Sequence, residues 1–477
     1  MSLPSKESGT TSDAKMLPVI SGLSRLEEIN RQILLQEIAL EKHSINYRHY
    51  HNVQGRWKGW RYFLSQEGNN VLTGAGLAYQ LAERARIFKH PYILSTAKVV
   101  VTDKQSGVRT TALRPVGLLQ HPSRAKLEAG AYPQMVGQSL GMCGSALELG
   151  INAYHRHQAT RVGYECRSSI KQVKGYKDNF ERLFAERDAI IAGGSIAADD
   201  LPAAKAEGKL LRATTTLSLQ EYEDFHVNTR RNRSMQDTLY VFDISRNAAG
   251  VAGNIVGLVG YHEASGYLSG PASVLVTISG ALGALMPVAA RGYGKLAGER
   301  HRRLIRRTLG KCNVCTMADY DLDRKNLQRL IAQKKERGDT FSEKALTLLG
   351  TYEGTAIERF EQEELAQRDY RAGVRAAQQN IIVGGVTGTS KVALGVTGVI
   401  AGYGLQTANH RSNDLLVPGT IAYMSGSWLA AADNIRLRVV DEMNRHRLTK
   451  QGLMPAQVLA ARVKMLDEMD RTLHATE

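Results

Sequence analysis

Residues 264–290 read ASGYLSGPASVLVTISGALGALMPVAA, 27 positions without Asp, Glu, Lys or Arg. A helix needs roughly 20 apolar residues to cross the hydrocarbon core of a bilayer. This run is long enough even with Pro271 and Pro287 inside it. Four further uncharged runs accompany it: Ala129–Leu147, Asn247–His262, Val392–His410 and Leu415–Ala432.

Two pairs of runs read as helical hairpins. The first joins 247–261 to 264–290 through His262 and Glu263. The second joins 381–410 to 415–432 through Arg411, Ser412, Asn413 and Asp414. Arginine crowds their outer flanks: Arg230, Arg231, Arg233 and Arg246 before the first, then Arg291, Arg302, Arg303, Arg306 and Arg307 after it. The second lies between Arg371 and Arg375 on one side and Arg436, Arg438, Arg445 and Arg447 on the other. Cytoplasmic segments carry an excess of Lys and Arg, so both ends of each hairpin are expected on the cytoplasmic side.

Small residues recur every fourth position within these runs: Gly137 and Gly141; Gly253 and Gly257; Gly280 and Ala284; Gly384 and Gly388; Gly398 and Gly402. A small-xxx-small stripe lets helix backbones approach closely in lipid, where hydrophobicity alone drives no association. Gly137, Gly141, Gly253, Gly257, Gly280, Gly398 and Gly402 are therefore the expected helix-packing positions, and a homo-oligomer is the expected assembly. The runs are rich in Gly, Ala, Ser and Thr, which leaves a soluble, self-assembling helical scaffold as the alternative.

The rest of the chain is helical and basic. Net charge is +16 over 477 residues, which favours anionic lipid or nucleic acid as partner. Trp57, Trp60 and Arg61 stand in a basic-aromatic stretch suited to a membrane interface; the same mixture stacks on bases and binds phosphates. With no recognised nucleic-acid module present, anionic lipid is preferred, with Arg291, Arg302, Arg303, Arg306 and Arg307 as further contacts. Capping-box patterns at Ser24 and Ser218 and a proline at Pro455 predict helix starts, and Val99–Leu113 predicts a small β-hairpin near 98–113. The fold class is mainly α: a helical bundle with Gly/Ala-rich transmembrane hairpins. The expected organisation is a tail at 1–20, a helical region with the β-hairpin at 21–128, a helical region with one apolar segment at 129–240, the first hairpin and its basic helix at 241–310, a polar helical region at 311–380 and the second hairpin with C-terminal helices at 381–477.

No catalytic or cofactor motif stands up. Gly137-Gln138-Ser139-Leu140-Gly141 matches the nucleophile-elbow pattern, but no strand precedes it and no strand-helix alternation surrounds it. Cys312 and Cys315 form a lone C-x-x-C without a second ligand pair, and His301 alone does not complete a metal site. The histidines around His43 and His155 lack zinc-helix spacing and read as solvated. Met1–Lys15 is polar and lacks the apolar core of a secretory signal, so a membrane location without signal-directed export is expected. A non-catalytic membrane-inserting protein, acting as pore former, anchor or scaffold, is the function these patterns imply.

Overall fold

The computed structural model describes residues 22–51, 56–90, 92–102, 109–119, 122–263, 268–310, 315–336, 382–404, 410–452 and 454–475. The chain is mainly helical. Its helices are α1 (Gly22–His51), α2 (Arg56–Lys89), α3 (Arg124–Arg161), α4 (Cys166–Ala192), α5 (Leu201–His262), α6 (Ser269–Leu309), α7 (Met317–Lys335), α8 (Ile382–Gly404), α9 (His410–Lys450) and α10 (Pro455–Ala475). Two antiparallel strands, β1 (Tyr92–Thr102) and β2 (Arg109–Leu119), pair from Tyr92 with Leu119 to Thr102 with Arg109. The ladder thus extends beyond 98–113 at both ends. Cys312 and residues 355–375 lie outside the described residues.

One helix start differs from its local signal. Ser218 begins no helix: it sits in the middle of α5, where its hydroxyl donates to the Glu37 carboxylate at 3.0 Å and to the Thr214 carbonyl at 3.2 Å. Between α3 and α4 the chain turns at Gly163, φ 83°. A left-handed glycine of this kind ends helices readily because it has no Cβ to clash.

α5 has 62 residues and so runs for about 93 Å at 1.5 Å per residue. It crosses position 240 unbroken and belongs to two differently built regions. Its N-terminal part joins α1, α4, α7, α10 and the last turns of α6 in a helical body. There Ile29, Ile33, Ile170, Val173, Phe180, Leu210, Leu211, Ile305, Leu327 and Leu466 form one apolar core. The C-terminal part of α5 joins α2, α3, α6, α8 and α9 in a bundle of another character. α2 carries the chain along this bundle to the β-hairpin, and α3 brings it back.

Among the described residues, three helices are long and apolar enough to cross a membrane by length and composition: α6, α8 and α9. The apolar parts of α3 (129–147) and α5 (247–262) are not among these candidate spans, so the first hairpin carries one such helix, not two. Only 28% of the apolar stretch of α6, 22% of α8 and 44% of α9 is buried by the rest of the chain.

Candidate membrane-inserting bundle

Large apolar side chains in this bundle point outward. Val274, Ile278, Leu285 and Val288 follow helical spacing along one exposed stripe of α6. Tyr132, Val136, Leu140 and Leu147 do the same on α3, Ile255 and Val259 on α5, Val386, Val396 and Ile400 on α8, and Ile421, Trp428 and Leu429 on α9. Together they form an apolar belt around the bundle.

Inside, glycines set the helix spacing. A methyl at Gly402 would sit 2.6 Å from the Gly270 nitrogen, one at Gly395 would meet the Thr277 backbone at 2.7 Å, and one at Gly388 would collide with the Ala284 backbone. These positions recur every seven residues on α8, and their partners recur every seven, in reverse, on α6. A sustained seven-residue period keeps one seam of two helices facing, with a left-handed supercoil. The seam between α3 and α2 is built the same way. Gly130 abuts Gly76, Gly137 abuts Asn69 and Leu72, and Gly144 abuts Ser65, again seven residues apart.

The expected packing glycines therefore do different jobs. Gly280 meets the backbone of Gly388 and Val392, Gly398 meets Ser273, and Gly253 meets the Ala272 carbonyl at 3.1 Å. Gly141 lies where α3 passes Asn69 and Asn247, with a would-be methyl 2.8 Å from each amide. Gly257 is the exception: a methyl there reaches only Ala272 Cβ at 3.9 Å, an ordinary contact. The period of seven was readable as Gly388, Gly395 and Gly402; attention to four-residue spacing alone hides it.

The interior between the seams is polar. Asp243 on α5 is fully buried; its carboxylate accepts from Gln66 Nε2 at 2.5 Å and from the Ser145 hydroxyl, and pairs with Arg246 at 2.6 Å. Arg246 also donates to Gln66 Oε1 at 3.3 Å. Asn69 donates to Asn247 Oδ1 at 3.2 Å, and Asn254 donates to Gln138 Oε1 at 3.2 Å. From α8, Lys391 enters the same interior, 8% exposed, with its ammonium 5.3 Å from the Tyr423 ring of α9. Five helices thus converge on one polar axis. The Ser139 of the nucleophile-elbow pattern lies within α3, beside this axis and on no strand-to-helix turn.

The aromatic and basic positions expected at an interface divide into two groups. Trp60 donates from its indole nitrogen to Glu442 at 3.0 Å and lies under the Arg438 guanidinium at 4.2 Å, so it joins α2 to α9. Arg61 bonds the buried Glu148 carboxylate at 2.9 Å. Arg302 pairs with Asp224 at 3.1 Å and Arg306 with Glu223 at 2.8 Å, both on α5. These four cations and rings are held by the protein itself. Arg291, Arg303 and Arg307 are exposed where α6 leaves the belt. Trp57 lies in α2, but its side chain is outside what is described.

Comparison with family models, with curated proteins and with solved structures finds no match for this chain. Fold and site define the class only: a helical protein with three candidate membrane-spanning helices.

Proposed function

We propose that this is a non-catalytic membrane-inserted protein whose apolar bundle sits in a lipid bilayer, with the helical body and basic flanks on the cytoplasmic side. The observation that carries the reading is the inverted distribution of side chains: large apolar groups outside, Gly, Ser, Asn, Gln and charged groups inside. In water such a surface would be an extended apolar patch, far beyond the few hundred Å² that soluble proteins tolerate. In lipid it is the favourable arrangement.

The tip of a hairpin crosses only when both arms do. If α6 spans, the last turns of α5 accompany it, although their composition alone would not carry them. α5 is shielded by α3, α6 and α8, which is why polar residues are tolerated on it. The same holds for α2, whose uncharged stretch Gly68–Ala82 lies beside α3.

Of the roles open to such a protein, the polar axis supports a pore or conduit over a passive anchor. An anchor has no use for Asp243, Arg246 and Lys391 at bilayer depth, where an ionised side chain costs roughly 2.5–3.5 kcal/mol on insertion scales. Intramembrane ionisable residues face bundle interiors and mark ion or solute pathways. Anionic lipid is the expected partner, through Arg291, Arg303 and Arg307, and the exposed belt leaves room for a second copy.

Alkaline carbonate extraction of native membranes tests insertion, and side-specific labelling tests topology. The protein is expected to stay in the pellet, with cysteines placed at Asp414 and Arg447 labelling from opposite sides. Release into the soluble fraction, or labelling from one side only, would replace this reading with the soluble scaffold.

A further inference from the structure

In the helical body, three side chains from three helices meet at one buried point. Cys166 is the first residue of α4, His226 lies midway along α5, and His301 is near the end of α6. His226 is fully buried, His301 nearly so, and Cys166 is half-buried. His301 Nε2 lies 2.7 Å from His226 Nδ1 and 3.1 Å from Cys166 Sγ. The three candidate ligand atoms all fall within 4.8 Å of one another. The two imidazole rings lie nearly parallel with centroids 4.8 Å apart, and Tyr47 stacks on His226 at 4.2 Å.

As an apoprotein this cluster is poorly satisfied. A neutral imidazole nitrogen carries either one lone pair or one N–H, directed one way in the ring plane. His301 Nε2 therefore cannot make full hydrogen bonds to both His226 and Cys166. His226 Nε2, on the other side of its ring from His301, has no hydrogen-bond partner among the described residues, with or without an ion at Nδ1. An unsatisfied buried polar group costs about 1–3 kcal/mol.

We propose that Cys166, His226 and His301 bind one borderline or soft transition-metal ion, Zn²⁺ or Cu⁺, leaving an open coordination position. A tetrahedral ion with Zn–N near 2.0–2.1 Å and Zn–S near 2.3 Å holds its ligand atoms about 3.3–3.6 Å apart. Two sides of the triangle would open by about half an ångström, and the Cys166–His226 side, within 4.8 Å, would settle to the same range. One thiolate and two imidazoles suit zinc and copper and disfavour Mg²⁺ and Ca²⁺, which take oxygen ligands. His43 does not join the triangle: its Nε2 bonds Ser169 Oγ at 2.8 Å, and Ser169 bonds the Tyr222 hydroxyl at 2.7 Å. Because α5 and α6 are also arms of the apolar bundle, the ion would pin α4 to both.

The site is about 16 Å along α6 from Ala290, at 1.5 Å per residue, and so lies outside the bilayer in the proposed topology. Its ligands are 60, 75 and 135 residues apart in sequence, which is why no spacing motif announces them.

The test uses full-length protein in detergent. Co²⁺ replaces zinc as a spectroscopic probe, and Zn²⁺ and Cu⁺ are each titrated against a chromophoric chelator selective for that ion. One equivalent is expected to bind, with a thiolate-to-cobalt band in the near ultraviolet. Cys166→Ser should abolish that band and weaken binding roughly 100-fold or more, since even outer-shell changes weaken metal sites 10–100-fold. His43→Gln should leave both unchanged. The two titrations separate zinc from copper. In wild-type protein, where misfolding of a variant plays no part, bound metal should protect Cys166 from alkylation while the alkylation rate of Cys143 is the same with and without metal. Absence of both band and protection, or equal binding by Cys166→Ser, would overturn the proposal.

Discussion

The body around Leu210 and the bundle around Gly388 are built by opposite rules from one continuous helix. In the body, α5 turns Leu210, Leu211 and Leu219 inward, beside a buried Glu207 that accepts from Asn30 and faces Arg187. Some thirty residues later the same helix turns Asp243, Asn247 and Gly250 inward and leaves Ile255 and Val259 outside. The first arrangement is what water selects, because burying a large aliphatic side chain is worth about 1.5–3 kcal/mol. The second gains nothing from burying aliphatics when the solvent is itself hydrocarbon; close backbone packing and polar pairing hold it instead. The two halves should therefore respond differently to the same kind of substitution.

The largest difference is expected at the polar axis. Asp243→Ala leaves Arg246 without its carboxylate inside the bundle, and breaking a buried pair in this way typically costs about 3–5 kcal/mol. Thermal unfolding in detergent should show the loss, and Asp243→Ala/Arg246→Met should recover much of it. Survival of the single variant at wild-type stability would mean that the axis is hydrated rather than packed.

Truncating leucine distinguishes the halves next. Leu210→Ala in the body should cost about 2–5 kcal/mol. Leu285→Ala, on the exposed stripe of α6, should cost a small fraction of that in the same melt. Equal losses would show that Leu285 is covered by protein, either another copy or a rearranged bundle.

Glycine substitutions sharpen the comparison within the bundle. Gly395→Leu drives a side chain into the Thr277 backbone and should reach or exceed the upper end of the roughly 1–3 kcal/mol of overpacking. Gly257→Leu should fold nearly as the wild type, since its neighbourhood is open. If both behave alike, the seven-residue seam is not what sets the α6–α8 distance.

Acid should act on the body through His43. Burial lowers its pKa from 6.5 to about 4, so between those values the unfolded chain binds a proton that the folded chain does not. This contribution is complete above pH 6.5 and is lost as pH falls toward 4. His43→Gln should remove about 2 kcal/mol of the stability loss between pH 6.5 and 5, at 1.36 kcal/mol per pKa unit. An unchanged acid profile in the variant would place the sensitivity elsewhere.

Much of the bundle was legible in the sequence because a helix able to span a bilayer needs a minimum apolar length. An uncharged run such as 264–290 has few other readings, and the arginines that bracket it mark its end. Other features were hidden for physical reasons. Gly68–Ala82 and Asn247–His262 are shielded by neighbours, so they need not be strongly apolar and do not stand out. Lys391 reads as the flank of a run, yet it reaches the bundle interior. Trp60, Arg61, Arg302 and Arg306 look like interface residues from composition, but carboxylates on distant helices claim them: Glu442, Glu148, Asp224 and Glu223. Histidines read as solvated because they sit among cations prove to include His43, 5% exposed in the body core. Side-chain partners contributed by the fold cannot be seen in a window of local sequence.

Insertion of the bundle requires that its apolar belt face lipid. Spin labels at Val274, Ile278, Leu285 and Val288, one at a time in reconstituted vesicles, report collision rates with oxygen, which concentrates in hydrocarbon, and with a water-soluble nickel complex. A label at Leu322, 72% exposed on α7 of the body, serves as the aqueous reference. High oxygen and low nickel accessibility at all four α6 positions, with the reverse at Leu322, is the predicted result. Nickel accessibility on α6 equal to that at Leu322 would place the belt in water and contradict membrane insertion of the bundle.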